Sequence, residues 1–167
     1  NEEVGKMVAD AIEKVGKDGV VTLEDSSTTE TTLTMTEGYS FDNGWVSQGF
    51  INNPEKMAYI HDNPMILTYD GRLGDLHELL PFLEQYMSNP DTNTRPLVII
   101  AEEFSNEIIR SIILNKVQGR LPYICCVKAP GFGKNKSEML IDVSSYIGSK
   151  TISKELGMDI REATIND

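Results

Sequence analysis

The sequence predicts an α/β fold, and three observations predict it. Apolar runs at residues 65–69, 97–101 and 121–127 read as strands, the second of them as a buried strand of parallel-sheet type. Each run is followed by a segment with apolar residues at helical spacing, at about 75–87, 104–118 and 137–147. Turn-forming residues separate the two kinds of segment, as alternation of strand and helix requires.

Composition narrows the function. The chain has 167 residues, enough for one domain or one domain with an appendage, and 40% of them are apolar. Its net charge is -11, from 26 acidic and 15 basic residues, which argues against nucleic acid and anionic membranes as partners. No apolar run approaches the ~18 residues of a membrane span, and no signal peptide is visible. The chain starts at Asn1-Glu2-Glu3 without an initiator Met, and so reads as an excised fragment. The only cysteines, Cys125 and Cys126, are chain neighbours. Neighbours on a strand point to opposite faces, so they read as reduced core residues of an intracellular protein, not as a disulfide or redox pair. His61 and His77 have no partners at metal-ligand spacing.

Val4, Met7, Val8, Ala11, Ile12 and Val15 recur at helical spacing, which predicts an amphipathic helix over residues 2–15 ended by Gly16. Short strands are expected at 20–23 and 31–36. Asp42-Asn43-Gly44 is a turn signal. If the segment after it is extended, Trp45, Ser47 and Gly49 lie on one side. Asp75 is a good N-cap for the helix that runs to about Met87, with Pro81 expected to kink it. The loop at 88–95 is rich in turn residues.

The helix at 104–118 carries the most information. At ~100° per residue, Phe104, Ile108 and Ile112 share an arc of roughly 80°, and Ile109, Ile113 and Val117 form a second arc beside it, with Leu114 beyond. The apolar surface therefore wraps past half of the helix. Either both arcs are buried, or one packs on the sheet and the other is a docking surface. The pattern alone favours burial on two sides.

Residues 127–134, Val-Lys-Ala-Pro-Gly-Phe-Gly-Lys, pose the question of a nucleotide loop. The P-loop spacing fails, because Lys128 stands where the first glycine belongs and Asn135 where the hydroxyl belongs. The dinucleotide pattern fails at Lys136. Pro130, Gly131 and Gly133 read instead as a tight reversal that presents Phe132.

The same stretch resembles a signature of the group I chaperonins, the bacterial GroEL type, in their apical domain. Glu37-Gly38-Tyr39-Ser40-Phe41-Asp42-Asn43-Gly44-Trp45-Val46-Ser47, Phe50-Ile51-Asn52-Asn53-Pro54-Glu55 and Pro96-Leu97-Val98-Ile99-Ile100-Ala101-Glu102-Glu103 are similar to further motifs of that family, in the same order. The resemblance covers essentially the whole chain, with a loop at 88–95 about four residues longer than usual, which loops tolerate. It implies a GroEL-like apical domain, a swivelling three-layer β/β/α fold, at 37–167 and truncated at its C-terminal end. Residues 1–36 would be a segment of the intermediate domain.

What the resemblance implies about function is hydrophobic capture. Non-native polypeptides, and the mobile loop of a co-chaperonin of GroES type, would bind at one groove. Its positions fall on Trp45, Ser47, Gly49 and Phe50, on Leu80 and Leu83, and on Ile109, Ile113 and Leu114. The resemblance thus favours the docking reading of the second arc. Gly49 stands where the family usually has an aromatic, which removes one apolar contact. Asn43 stands where it usually has Arg, and Asn53 and Ser105 where it often has an inter-subunit Lys–Glu pair. The fragment is expected to bind no cofactor and to catalyse nothing. ATP and Mg would belong to the equatorial domain of a ring-forming, ATP-driven parent, in the cytoplasm of a bacterial-type cell or in an organelle matrix. The rival readings are a nucleotide-binding α/β enzyme domain using the Gly131–Gly133 turn, and a protein-interaction module unrelated to folding.

Overall fold

A computed structural model of the chain describes residues 2–15, 38–131 and 135–167. The chain divides into two compact units, residues 1–39 and 40–167. In the first, α1 spans Glu2–Val15, matching the expected helix. Ala11 is buried and Met7 and Val8 are half-buried, whereas Val4 and Ile12 are exposed. The strands expected at 20–23 and 31–36, and with them most of the intermediate-domain reading, lie outside the described residues, as do Phe132, Gly133 and Lys134.

The second unit is an α/β fold around a four-stranded sheet, parallel throughout, in the order β3-β2-β1-β4. The strands are β1 (Met65–Leu73), β2 (Leu97–Phe104), β3 (Ile124–Lys128) and β4 (Ile152–Ser153). Helices α2 (Leu76–Ser88), α3 (Asn106–Val117) and α4 (Asn135–Ile147) are the crossovers between successive strands. Parallel pairing demands such crossovers, because a tight turn cannot return a chain in the same direction.

The sheet is covered on both faces, which explains its apolar runs. Leu97, Ile99 and Ala101 of β2 pack in one cluster with Leu79, Phe82, Leu83 and Tyr86 of α2 and Ile108 and Ile112 of α3. The alternate residue Ile100 packs in a second cluster with Leu140 and Val143 of α4, joined by Val98. The period of two along β2 thus sorts its side chains between the α2/α3 layer and the α4 layer.

Three local features differ from expectation or extend it. First, β1 runs four residues beyond the expected 65–69. Its register with β2 shifts between Tyr69 and Arg72 and then resumes, so a bulge carries the strand on to Leu73. A Cβ on Gly71 would lie 2.8 Å from Cζ of the buried Tyr69, so a side chain there would have to displace that ring. Asp70 accepts hydrogen bonds from Ser137 Oγ of α4 at 2.9 Å and Ser153 Oγ of β4 at 3.1 Å, which ties both elements to the bulged strand. Second, α2 continues through Pro81, and its N-cap is Asp75, whose carboxylate accepts from His77 N–H at 3.0 Å. The proline sits in the second turn, where its ring removes the backbone bond to the His77 carbonyl and crowds that oxygen. Third, the long loop after α2 is held from within. Buried Thr92 donates from Oγ1 to the Tyr86 carbonyl at 2.8 Å, and the Tyr86 hydroxyl donates to the Arg95 carbonyl at 2.6 Å.

Candidate docking surface

Helix α3 is built as a two-sided element. Its N-cap is Ser105, whose Oγ accepts from Ile108 N–H at 3.2 Å and donates to the Gly74 carbonyl at 2.6 Å. Gly119, at φ 74°, ends it in the left-handed conformation that glycine adopts most easily. Between these stops the two arcs part. Ile108 is buried and Ile112 has 0% of its surface exposed, both in the core under the sheet. Ile109 and Ile113 are half-buried and pack on the edge of that core. Leu114 is 57% exposed and Val117 79%. The second arc is therefore covered in part: Ile109 and Ile113 pack against the core, whereas Val117 at its end and Leu114 beside it stand in water.

The segment before β1 reaches α3 as a compact turn. Trp45 bridges to Val127 in the antiparallel sense, and Val46 N–H donates to the Cys126 carbonyl at 3.0 Å, so residues 45–46 cover the open edge of β3. The indole Nε1–H of Trp45 donates to the Met57 carbonyl at 3.2 Å. A 3-10 turn at Gln48–Phe50 follows, capped by Ser47, whose Oγ accepts from Gly49 N–H at 3.3 Å. The expected extended alternation of Trp45, Ser47 and Gly49 is thereby corrected, since the 3-10 turn breaks the period of two at residue 48. The turn drives Phe50 into the core, where it is 0% exposed. It also brings the backbone of Gly49 against Ile113, so that a Cβ on Gly49 would lie 2.8 Å from Ile113 Cδ1.

The nine expected site positions thus fall into three groups. Gly49 and Ile113 are in direct contact, with Ile109 and Leu114 on the same helix. Trp45 and Ser47 are half-buried and position the turn, and Leu80 is half-buried on α2. Phe50 and Leu83, the latter 5% exposed, are packed in the core. As the chain stands, their side chains stabilise the fold and present little surface to a partner.

One residue of the site is missing from the sequence reading. The Lys116 ammonium donates to the Phe50 carbonyl at 2.8 Å, and lies 5.7 Å from the centre of the Phe50 ring and 5.4 Å from that of Tyr59. Burial lowers its pKa, with Cys125 and Cys126 acting in the opposite sense. A lysine on an exposed-looking helix end carries no local signal of this role, because Phe50 lies 66 positions away in the chain.

The remaining polar positions are engaged within the chain. Asn43 Nδ2 donates to the Ala129 carbonyl at 2.6 Å, and Asn53 Oδ1 accepts from Lys56 N–H at 3.1 Å. Ser105 caps α3, so Asn43, Asn53 and Ser105 each hold a bond within this fold. His61 lies tilted at 56° against Tyr59, with ring centres 4.8 Å apart, and meets Tyr123 edge-on at 5.6 Å. Among the described residues no group of three His, Cys, Asp or Glu side chains could hold a metal ion. Gly131 has φ 85°, and a Cβ on it would lie 2.7 Å from Met139 Sδ. Backbone conformation and packing under α4 both account for that glycine without a ligand. No helix among the described residues is long and apolar enough to cross a membrane. No family model matches the chain.

Proposed function

We propose that the chain is the apical, substrate-binding part of a group I chaperonin, and that it captures non-native polypeptides on the outer arc of α3. The observation that carries this reading is the division of α3, with Ile112 at 0% exposure one residue from a run ending in Leu114 at 57%. A helix that keeps aliphatic side chains half in water beside a completed core suits reversible burial of a partner's apolar groups. Each such group contributes roughly 1.5–3 kcal/mol before ordering costs, so two or three anchors give binding on the order of micromolar. A ring of such sites in a full-length, ATP-driven parent adds avidity. The mobile loop of a co-chaperonin competes for the same arc. The four-stranded sheet is then one layer of the swivelling β/β/α domain, residues 1–36 belong to the intermediate domain, and the chain itself binds no nucleotide and catalyses nothing. The setting is the bacterial-type cytoplasm or an organelle matrix.

The test is suppression of aggregation of a chemically denatured protein by this chain without ATP. Wild type suppresses it. Leu114→Glu keeps the wild-type circular dichroism spectrum and loses the suppression. Undiminished capture by a folded Leu114→Glu variant removes the arc from the mechanism.

A further inference from the structure

We infer that Lys116 is a positioning residue for this surface: it latches the 3-10 turn Gln48–Phe50 onto α3, and so limits how much of Ile113 a partner can reach. The inference deepens the docking reading given above and rests on it.

Two contacts seat the turn, and both fall on the last two turns of α3. Gly49 abuts Ile113 through backbone against side chain, with hypothetical Cβ distances of 2.8 Å to Cδ1 and 3.1 Å to both Cγ1 and Cγ2. Three positions on, the Lys116 ammonium donates to the Phe50 carbonyl at 2.8 Å. That carbonyl ends the turn, so the bond fixes the turn's far side. The aromatic rings of Phe50 and Tyr59 flank the same ammonium at 5.7 and 5.4 Å, within the range of cation–π attraction. One cation therefore ties three points of the 45–60 segment to one helix.

The acceptor's surroundings make the tie matter. Within the turn, Phe50 N–H donates to Ser47 O at 3.1 Å and Ile51 N–H to Gln48 O at 3.1 Å. A single 3-10 turn has little cooperativity of its own. The Phe50 ring, fully buried, anchors one side, and Gly49 contributes no side chain to the grip on Ile113. The charge-assisted bond is thus the specific link on the α3 side, of the kind about twice as strong as a neutral one. Without it the backbone at Gly49 can lift from Ile113 while Phe50 stays seated, widening the apolar arc from Leu114 towards Ile113.

The experiment compares Lys116→Met, which keeps the apolar stem and removes the charge, with Lys116→Arg, which keeps the charge. Amide hydrogen exchange is followed at Phe50 and Ile51 against Ile99 and Ile100 in β2. Acrylamide quenching of Trp45, the only tryptophan, reports on the same segment. In Lys116→Met, exchange at Phe50 and Ile51 is expected to accelerate on the order of tenfold or more while β2 is unchanged, since a bond to a charged donor is lost locally. Trp45 becomes more quenchable, capture of denatured protein rises, and Lys116→Arg behaves as wild type. Unchanged exchange at Phe50 and Ile51 in a folded Lys116→Met variant overturns the latch. Equal acceleration throughout β2 overturns it too, because Lys116 then supports the whole fold. Local opening with no rise in capture upholds the latch and overturns the docking role of α3.

Discussion

The backbone of Gly49 rests on the side chain of Ile113, with the position of a Cβ only 2.8 Å from Ile113 Cδ1. Glycine here reflects a close approach between a 3-10 turn and a helix. A methyl group at 49 must push Ile113 aside. Gly49→Ala is expected to destabilise the fold by about 1 kcal/mol, at the low end of overpacking, because the obstructing atom is the end of a flexible side chain. Ile113→Val removes that atom, so the double variant should lose less stability than the two single variants added together. A coupling of about 0.5 kcal/mol or more in a urea-unfolding cycle supports the contact, and strict additivity refutes it.

Neighbouring residues of α3 should respond in opposite ways to truncation. Ile112 is enclosed and Leu114 is largely in water. Ile112→Ala is expected to cost about 2–5 kcal/mol in unfolding free energy, the transfer term plus a cavity. Leu114→Ala should change it by no more than about 0.5 kcal/mol. If the two costs are similar, the division of the helix into a core arc and an open arc is wrong.

That division was half legible beforehand. The apolar content of α3 declared two arcs, because helical geometry is local and 3.6 residues per turn can be counted. Which arc met water could not be counted, because it depends on what the sheet and the 45–51 segment cover. The N-caps fell to the same local reasoning: Asp75 bonds its own His77 N–H, two positions away. The turn at Gln48–Phe50 did not, because long-range bonds fix its approach, such as Val46 N–H to the Cys126 carbonyl. The resemblance places Phe50 in the groove, and the turn buries it instead. The extension of β1 past Tyr69 escaped for a related reason. Asp70 and Gly71 look like a strand terminator until Ser137 and Ser153 are brought to the carboxylate.

Tyr69 offers a prediction from an unmet need. It is fully buried in the central strand, and its hydroxyl has no hydrogen-bond partner among the described residues. A buried hydroxyl without a partner carries its desolvation cost uncompensated, about 1–3 kcal/mol. Tyr69→Phe deletes only that oxygen. It is expected to raise the melting temperature, or leave it unchanged, where deletion of a bonded tyrosine hydroxyl would lower it. A drop equivalent to about 1 kcal/mol in Tyr69→Phe means that the hydroxyl is bonded after all.

The adjacent thiols make stability fall in alkali. Burial pushes Cys125 from the ordinary 9.0 up to about 12. Burial, then the neighbouring Cys125, raises Cys126 as well, and Lys116 opposes both shifts. The folded chain therefore holds these protons more tightly than the unfolded chain does. Below pH ~9 both states keep them, and the contribution to stability is fully present. Above pH ~9 the unfolded thiols ionise first, so stability declines with pH until the folded thiols also titrate, near pH 12 for Cys125. The slope cannot exceed about 1.4 kcal/mol per thiol per pH unit. The Tyr59 phenol, also raised by burial, acts in the same direction at higher pH. Urea midpoints at pH 8 and pH 10 should therefore separate in wild type more than in a Cys125→Ala/Cys126→Ala variant. Iodoacetamide at pH 8 should label the wild-type thiols only as fast as the chain opens. Rapid labelling of the folded chain, or an equal pH dependence with and without the cysteines, would mean that these thiols are not held in the protonated form by the core.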